Sequence, residues 1–425
     1  MSALLRLLNS PITMLASRLS VAALGLVSAP LIAQSLGPSG RGETAAALAS
    51  MYLIPIVLAL GMPLEIRRRV LAAAGDLGAV RTARRLALLT AIPAALIAWL
   101  LTSTLLSALD EAATFAVFVA LTGTPLMVCW MIDIGVVGAQ RRFGAVALLQ
   151  ATQPLVYVGG IIVLFLLDRI TVSGVIWSNF AGSAVTALIG SLLNRPRGVA
   201  SAPWRPLLRG SVTFYGAQAS DAAYQRLDQV VMLPLIGSHQ AGLYSVAVTI
   251  GTLPVFLAHA VAAPVFSDIS RTEGGARITA TGDVLRSAFA VGLASAVFLA
   301  VVTPWGVPLL FGDQFAEAMP AVFFAILGSV FVVVTVSAAE VLSARNRGIS
   351  LTIAQGAGLL TCLGLLFAFG PANGAIAAAI ANASGILMAL VVMVLAIRPP
   401  ARTILPRPSD VPLALRRLTM RGGTA

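Results

Sequence analysis

Apolar residues run through this chain in blocks of about twenty or more, and the polar positions collect in short gaps marked by arginines or by Gly, Pro and Asn. A helix needs about 20 mostly apolar residues to cross the hydrocarbon of a bilayer. The blocks therefore predict twelve membrane helices, near residues 12–36, 43–64, 86–109, 112–138, 143–167, 170–193, 210–236, 242–266, 284–311, 319–343, 349–369 and 373–397. The first block has the basic flank of a secretory signal in Arg6. It is too long for one, Arg18 interrupts it, and more spans follow, so it is read as the first membrane helix.

The arginines fall on alternate gaps. Arg67, Arg68, Arg69, Arg81, Arg84 and Arg85 share one side with Arg141, Arg142, Arg195, Arg197, Arg205 and Arg209, and with Arg271, Arg277, Arg286, Arg345, Arg347 and the arginines from Arg398 onward. Arg41 and Arg169 fall on the other side, while Arg18 and Arg226 lie within spans. Because cytoplasmic loops retain basic residues, the pattern predicts a multi-pass protein of a bacterial inner (plasma) membrane with both termini cytoplasmic.

The chain also repeats at an offset of 200. Leu36-Gly37-Pro38-Ser39-Gly40-Arg41-Gly42 lies over Ile236-Gly237-Ser238-His239-Gln240-Ala241-Gly242, with both outer glycines in register. The next span ends in Pro63, Glu65, Ile66 and Arg67 to Arg69 in one half, and in Pro264, Asp268, Ile269 and Arg271 in the other. Six helices per half make this a parallel repeat, with its pseudo-two-fold along the membrane normal. The expected fold is all-α: two six-helix lobes, residues 1–200 and 201–398, facing each other across a cleft, then a basic cytoplasmic tail, 399–425. The proline-bearing linker from Arg195 to Arg209 marks the boundary.

Composition agrees with the membrane class: 58% of residues are hydrophobic and 10% charged, against about a quarter charged in soluble domains. The net charge of +12 is explained by loop asymmetry. Nucleic-acid binding would need a basic patch on a soluble surface, and no segment supplies one. Cys129 and Cys362 lie in apolar runs without a CxxC or Cys/His cluster, so neither a disulfide framework nor a metal is expected, and no motif calls for a cofactor.

Ionisable side chains inside spans are functional candidates because they are costly there. Gln218, Asp221, Gln225 and Asp228 follow i, i+3, i+7, i+10 on the seventh helix and share one face. That stripe either lines the cleft or forms a packing network between helices. Arg226 points about 140–160° away from Asp221 and Asp228 and is expected to pair with another helix. Arg18 aligns with Gln218 under the repeat, and sits about 9 Å from its helix end at 1.5 Å per residue; it either faces the cleft or snorkels to the interface. Asp133 and Glu340 stand one to two turns before the basic pairs Arg141/Arg142 and Arg345/Arg347, as candidates for interfacial ion pairs, gate contacts or ion coupling. Asp221 or Asp228 could equally carry a coupling cation. The Arg67 to Arg85 segment is either an interfacial basic helix or simple topology.

With Leu36 to Gly42 after the first helix, and Leu227-Asp228-Gln229 through Gly237, Gly242 and Tyr244 at the seventh and eighth, the chain resembles the oligosaccharide-lipid flippases of the polysaccharide transport family. Their superfamily also holds multidrug and toxin extrusion carriers and lipid II flippases. The resemblance spans about residues 1–398 and implies alternating access. The sugar-pyrophosphate head of an undecaprenyl-type lipid would move from the inner to the outer leaflet, for surface polysaccharide synthesis. A cavity for such a head should offer arginines to the pyrophosphate and amides or carboxylates to the sugar; the intramembrane candidates for substrate contact are Arg18, Gln218, Asp221, Gln225 and Asp228, and those for ion coupling or gating are Asp133, Glu340 and Arg226. Implied partners are the lipid-linked oligosaccharide, membrane lipids and other polysaccharide-assembly proteins. The apolar runs lead us to expect no extra C-terminal helix pair of the kind lipid II flippases carry, an expectation that disfavours that substrate.

Two other functions make different demands on the residues. A cation-coupled multidrug antiporter would want an acidic cavity, whereas these intramembrane charges are mixed. A polytopic glycosyltransferase or polymerase would want a large outer loop, whereas the outer gaps here are only a few residues long. No GxxxxGK[ST] loop is present, which argues against an ATP-driven pump.

Overall fold

A backbone immersed in lipid must satisfy its amides internally, and helices do so segment by segment. In the computed structural model all regular structure among the described residues is helical. The structure describes residues 11–72, 77–195, 200–262, 274–345 and 347–398, with side chains from residue 24 onward except 214, 217, 256, 260, 261 and 274–278. Arg6, Asp268, Ile269, Arg271 and the tail 399–425 lie outside these residues.

The helices are α1 (Pro11–Leu58), α2 (Met62–Ala72), α3 (Leu77–Leu89), α4 (Ala91–Ser103), α5 (Glu111–Thr122), α6 (Thr124–Ala139), α7 (Phe143–Leu166), α8 (Val172–Leu193), α9 (Trp204–Gly251), α10 (Pro254–Ala262), α11 (Gly274–Phe311), α12 (Met319–Ala344) and α13 (Gly348–Ile397), with a 3₁₀ turn at Asp313–Ala318 before α12. Among the described residues seven helices are long and apolar enough to cross a membrane, or nine if each of two bent pairs is one span. The three longest are each broken by one glycine: Gly37 (φ 67°, ψ −175°) in α1, Gly237 (φ 80°, ψ 162°) in α9 and Gly374 (φ 54°, ψ −132°) in α13. These torsions suit a residue without Cβ. Splitting the long helices at the three glycines yields the twelve crossings expected from the apolar runs.

The bent pairs have local causes. α1 meets α2 at 50°, across Leu60 and Gly61 at positive φ. α5 meets α6 at 45° where Gly123 precedes Thr124 and Pro125. The third span starts earlier than its apolar run, because the basic segment from Leu77 is already helical and continues into it. Its polar residues lie on a helix face and give no apolar signal.

Packing follows membrane rules. Alanines such as Ala46, Ala47, Ala83, Ala116 and Ala381 are fully buried, while Ile92, Trp305 and Leu309 are 76%, 70% and 78% exposed. Small residues let helices approach closely, and large apolar ones face a solvent as apolar as themselves.

By packing, the chain divides into a unit ending at Gly242 and a unit beginning at Leu243. The first arm of α9 packs with the first unit for visible reasons. Ala222 and Val230 meet Ala49 and Leu53 of α1 in one buried cluster. Gly61 leaves no room for a Cβ beside the Ser211 carbonyl, nor Gly210 beside the Glu65 carboxylate. At the two breaks the contact is reciprocal: a Cβ on Gly42 would strike the Ser238 carbonyl oxygen, and one on Gly242 would strike that of Pro38. Pro38 and Ser238, and Gly42 and Gly242, are equivalent at the offset of 200, so this crossing is a local two-fold contact between repeat elements. In the second unit, Val284 and Leu285 of α11, Val333 and Val341 of α12, and Leu390 and Met393 of α13 share one core with Ala258 of α10.

Candidate functional site

The polar stripe lies on the first arm of α9. Gln218 and Asp221 are half-buried, Gln225 is exposed and Asp228 is 4% exposed. Gln225 Nε2 donates to Asp221 Oδ2 at 2.7 Å, one turn apart, and Asp228 Oδ1 accepts from the Gln229 backbone N–H at 2.8 Å. The stripe is thus graded, from a linked Asp221–Gln225 pair with Gln225 exposed to a sequestered Asp228. Arg18 lies in α1, with its side chain outside the described residues.

Arg226 does meet another helix. It follows Ala222 and precedes Val230 by four residues each, so it sits on the seam packed against α1. There its guanidinium carbon lies 5.3 Å from the centre of the Tyr52 ring, and Nη1 is 3.5 Å from Gln229 Oε1. Among the described residues Arg226 has no carboxylate within ion-pair distance. Tyr52 is 44% exposed and also feels the charge of Asp221. The Tyr52 ring, Arg226 and Gln229 form a polar contact at the α1–α9 seam, and a guanidinium there cannot face hydrocarbon cheaply. Tyr52 was missed in the sequence, where it is one aromatic in an apolar span.

The arginine-rich end is built differently. Asp133 is buried and accepts from Arg84 of α3. Asn194 Nδ2 donates to the Asp133 carbonyl and to its Oδ1, at 3.3 Å each. Gly190 provides the space, since a Cβ there would lie 2.7 Å from Asp133 Oδ2. Asp133 therefore ties the ends of α3, α6 and α8 together, and its cation comes from the 67–85 segment instead of Arg141 or Arg142. In the second unit Arg345 does the corresponding work, donating to Thr281 Oγ1 at 3.0 Å and to the Ile397 carbonyl at 2.9 Å. Half-buried Glu340 of α12 has no ion pair among the described residues. Glu65, fully buried, accepts from Arg68 Nε at 2.7 Å, Arg68 Nη2 at 2.8 Å and Arg69 Nε at 2.6 Å. Arg85 reaches Ser201 at 3.0 Å, and Thr82 Oγ1 donates to the Ala202 carbonyl at 2.8 Å, pinning the linker to α3. Of the basic segment, Arg67, Arg68 and Arg85 stay exposed while Arg84 turns inward.

These broken helices and buried small residues define an all-α, multi-pass membrane protein. The chain is similar to the solved lipid II flippase MurJ in its inward closed conformation, with a TM-score of 0.78 and 14% identity over 96% of this chain and 92% of that one. It is also similar to an inward-facing multidrug resistance MATE family transporter of the MOP superfamily (TM-score 0.66, 16% identity, 90% of this chain and 97% of that one). A third likeness is to MATE in the straight conformation (0.62, 18%, 91% and 93%). At these identities the likeness is one of fold. The sequence matches the polysaccharide biosynthesis protein family over residues 7–270, and the chain belongs to that family. No protein of curated function matches it.

Proposed function

We propose that this chain is a flippase that carries the head group of a polyprenyl-pyrophosphate-linked oligosaccharide across a bacterial inner membrane by alternating access, with both termini cytoplasmic. The observation that carries this reading is Arg226: a guanidinium inside a span, without a carboxylate partner among the described residues, on the same helix arm as the hydrogen-bonded Asp221–Gln225 pair. A guanidinium whose charge is not taken up by a carboxylate fits a pyrophosphate, and linked amide and carboxylate groups fit sugar hydroxyls. Half-buried Gln218 lies on the same arm of α9, and with Arg18 and Asp228 it is assigned to the later part of the lipid's path. Membership in a polysaccharide biosynthesis family supports the sugar-bearing cargo, and the fold supports transport over catalysis. Glu340 of α12, without an ion pair among the described residues, is the candidate for ion coupling, whereas Asp133, bonded to Arg84 and Asn194, is held as a helix tie.

The test is transport of a fluorescent undecaprenyl-pyrophosphate oligosaccharide in proteoliposomes, followed by quencher access from outside. The unmodified protein should move the lipid, and Arg226→Gln should raise its KM about 10- to 100-fold, the worth of a hydrogen bond to a charged group. If no such lipid moves while a cationic dye is exchanged for protons, multidrug antiport replaces this reading.

A further inference from the structure

A guanidinium in a membrane span needs something to hold it as well as something to bind, and the two needs compete for the same five N–H groups. A carboxylate partner would take those donors and cancel the charge. An aromatic ring attracts the cation through its face and leaves the donors free in the guanidinium plane. The Arg226 contacts are of the second kind: the Tyr52 ring at 5.3 Å and a long bond to Gln229 at 3.5 Å.

The neighbourhood fixes the ring. Ala49 and Leu53, on either side of Tyr52 in the helix, are buried against Ala222 and Val230, the residues one turn before and after Arg226. The seam therefore sets the spacing between Tyr52 and Arg226, while the ring itself stays 44% exposed. On the same arm of α9, the Asp221 carboxylate is engaged by Gln225 at 2.7 Å.

We propose that Tyr52 is a positioning residue for an anion subsite: its ring holds Arg226 by its face, so that the guanidinium edge is presented to a phosphate group of the lipid carrier. This rests on the flippase reading for the identity of the anion. It assigns the work to the ring and not to the hydroxyl, and it makes the effect of Tyr52 conditional on Arg226.

Both consequences are read by equilibrium binding of undecaprenyl pyrophosphate to the full chain in lipid nanodiscs, with undecaprenol as the uncharged control. Tyr52→Phe should bind within about twofold of the unmodified protein. Tyr52→Leu should weaken pyrophosphate binding about five- to tenfold, the span of a partly desolvated cation–π contact, and leave undecaprenol unchanged. In an Arg226→Lys background, where the charge remains but the planar fork is lost, Tyr52→Leu should add less than about twofold. Thermal unfolding of each variant confirms that it is folded. If Tyr52→Leu multiplies the loss undiminished in the Arg226→Lys protein, weakens undecaprenol equally, or matches Tyr52→Phe, the positioning role is overturned while the flippase reading stands. If the unmodified protein prefers undecaprenol or shows no preference, the anion subsite falls, and the pyrophosphate cargo with it.

Discussion

Arg84 and Asp133 meet in a nearly dry setting, and removing either leaves the other as a buried charge. Breaking such a pair costs about 3–5 kcal/mol, whereas replacing both partners by apolar residues of similar size is often neutral. Asp133→Ala or Arg84→Ala should therefore lower the unfolding temperature in detergent markedly, and the double substitution Arg84→Met with Asp133→Leu should recover most of it. Recovery of fold with retained transport would identify Asp133 as a helix tie; loss of transport in a stable double variant would return it to the coupling machinery. At this scale the sequence was partly legible. Helical spacing places Gln218, Asp221, Gln225 and Asp228 on one face, and the Asp221–Gln225 bond confirms that two of them are neighbours. The partners of Arg226 and Asp133 were not legible, because Tyr52 and Arg84 arrive from helices far away in sequence. Only packing decides which arginine of a basic segment turns inward.

Among the helices, glycine acts in two ways that can be separated by substitution. Gly242 has the Pro38 carbonyl where its Cβ would be, so Gly242→Ala should cost about 1–3 kcal/mol of stability through overpacking. Gly216, an exposed helical glycine with nothing within 4 Å of an added Cβ, should tolerate alanine and gain about 0.5–1 kcal/mol. Unfolding of the two variants side by side checks the pair, and equal behaviour would contradict the crossing. The gaps holding Gly37, Gly237 and Gly374 were visible as polar or Gly/Pro interruptions between apolar runs, which is why the span count could be read from sequence. Bends at Leu60–Gly61 and Gly123 left no gap in hydropathy, since apolar residues flank them. The early start of α3 was hidden because its arginines occupy one face of an otherwise packable helix.

For the molecule as a whole, the repeat is the organising feature, and the reciprocal Gly42/Gly242 contact shows it at the atomic level within the first unit. The packing boundary after Gly242 and the repeat boundary proposed at 200/201 describe different things: the first arm of α9 begins the second repeat yet packs onto α1. Coupling belongs to this scale too. Glu340→Gln should abolish any dependence of transport on a proton or sodium gradient while sparing binding of the lipid, as comparison of gradient-driven and equilibrium exchange would show. A gradient dependence equal to that of the unmodified protein would move coupling to Asp221 or Asp228. The cargo proposed for this chain is an anionic, sugar-bearing polyprenyl lipid. The most direct measurement is the rate at which reconstituted protein exposes a fluorescent undecaprenyl-pyrophosphate oligosaccharide to an external quencher, against a fluorescent phospholipid in the same vesicles. Selective exposure of the pyrophosphate lipid, reduced by Arg226→Gln, is the predicted result; equal rates for both lipids, or movement of neither, would contradict it.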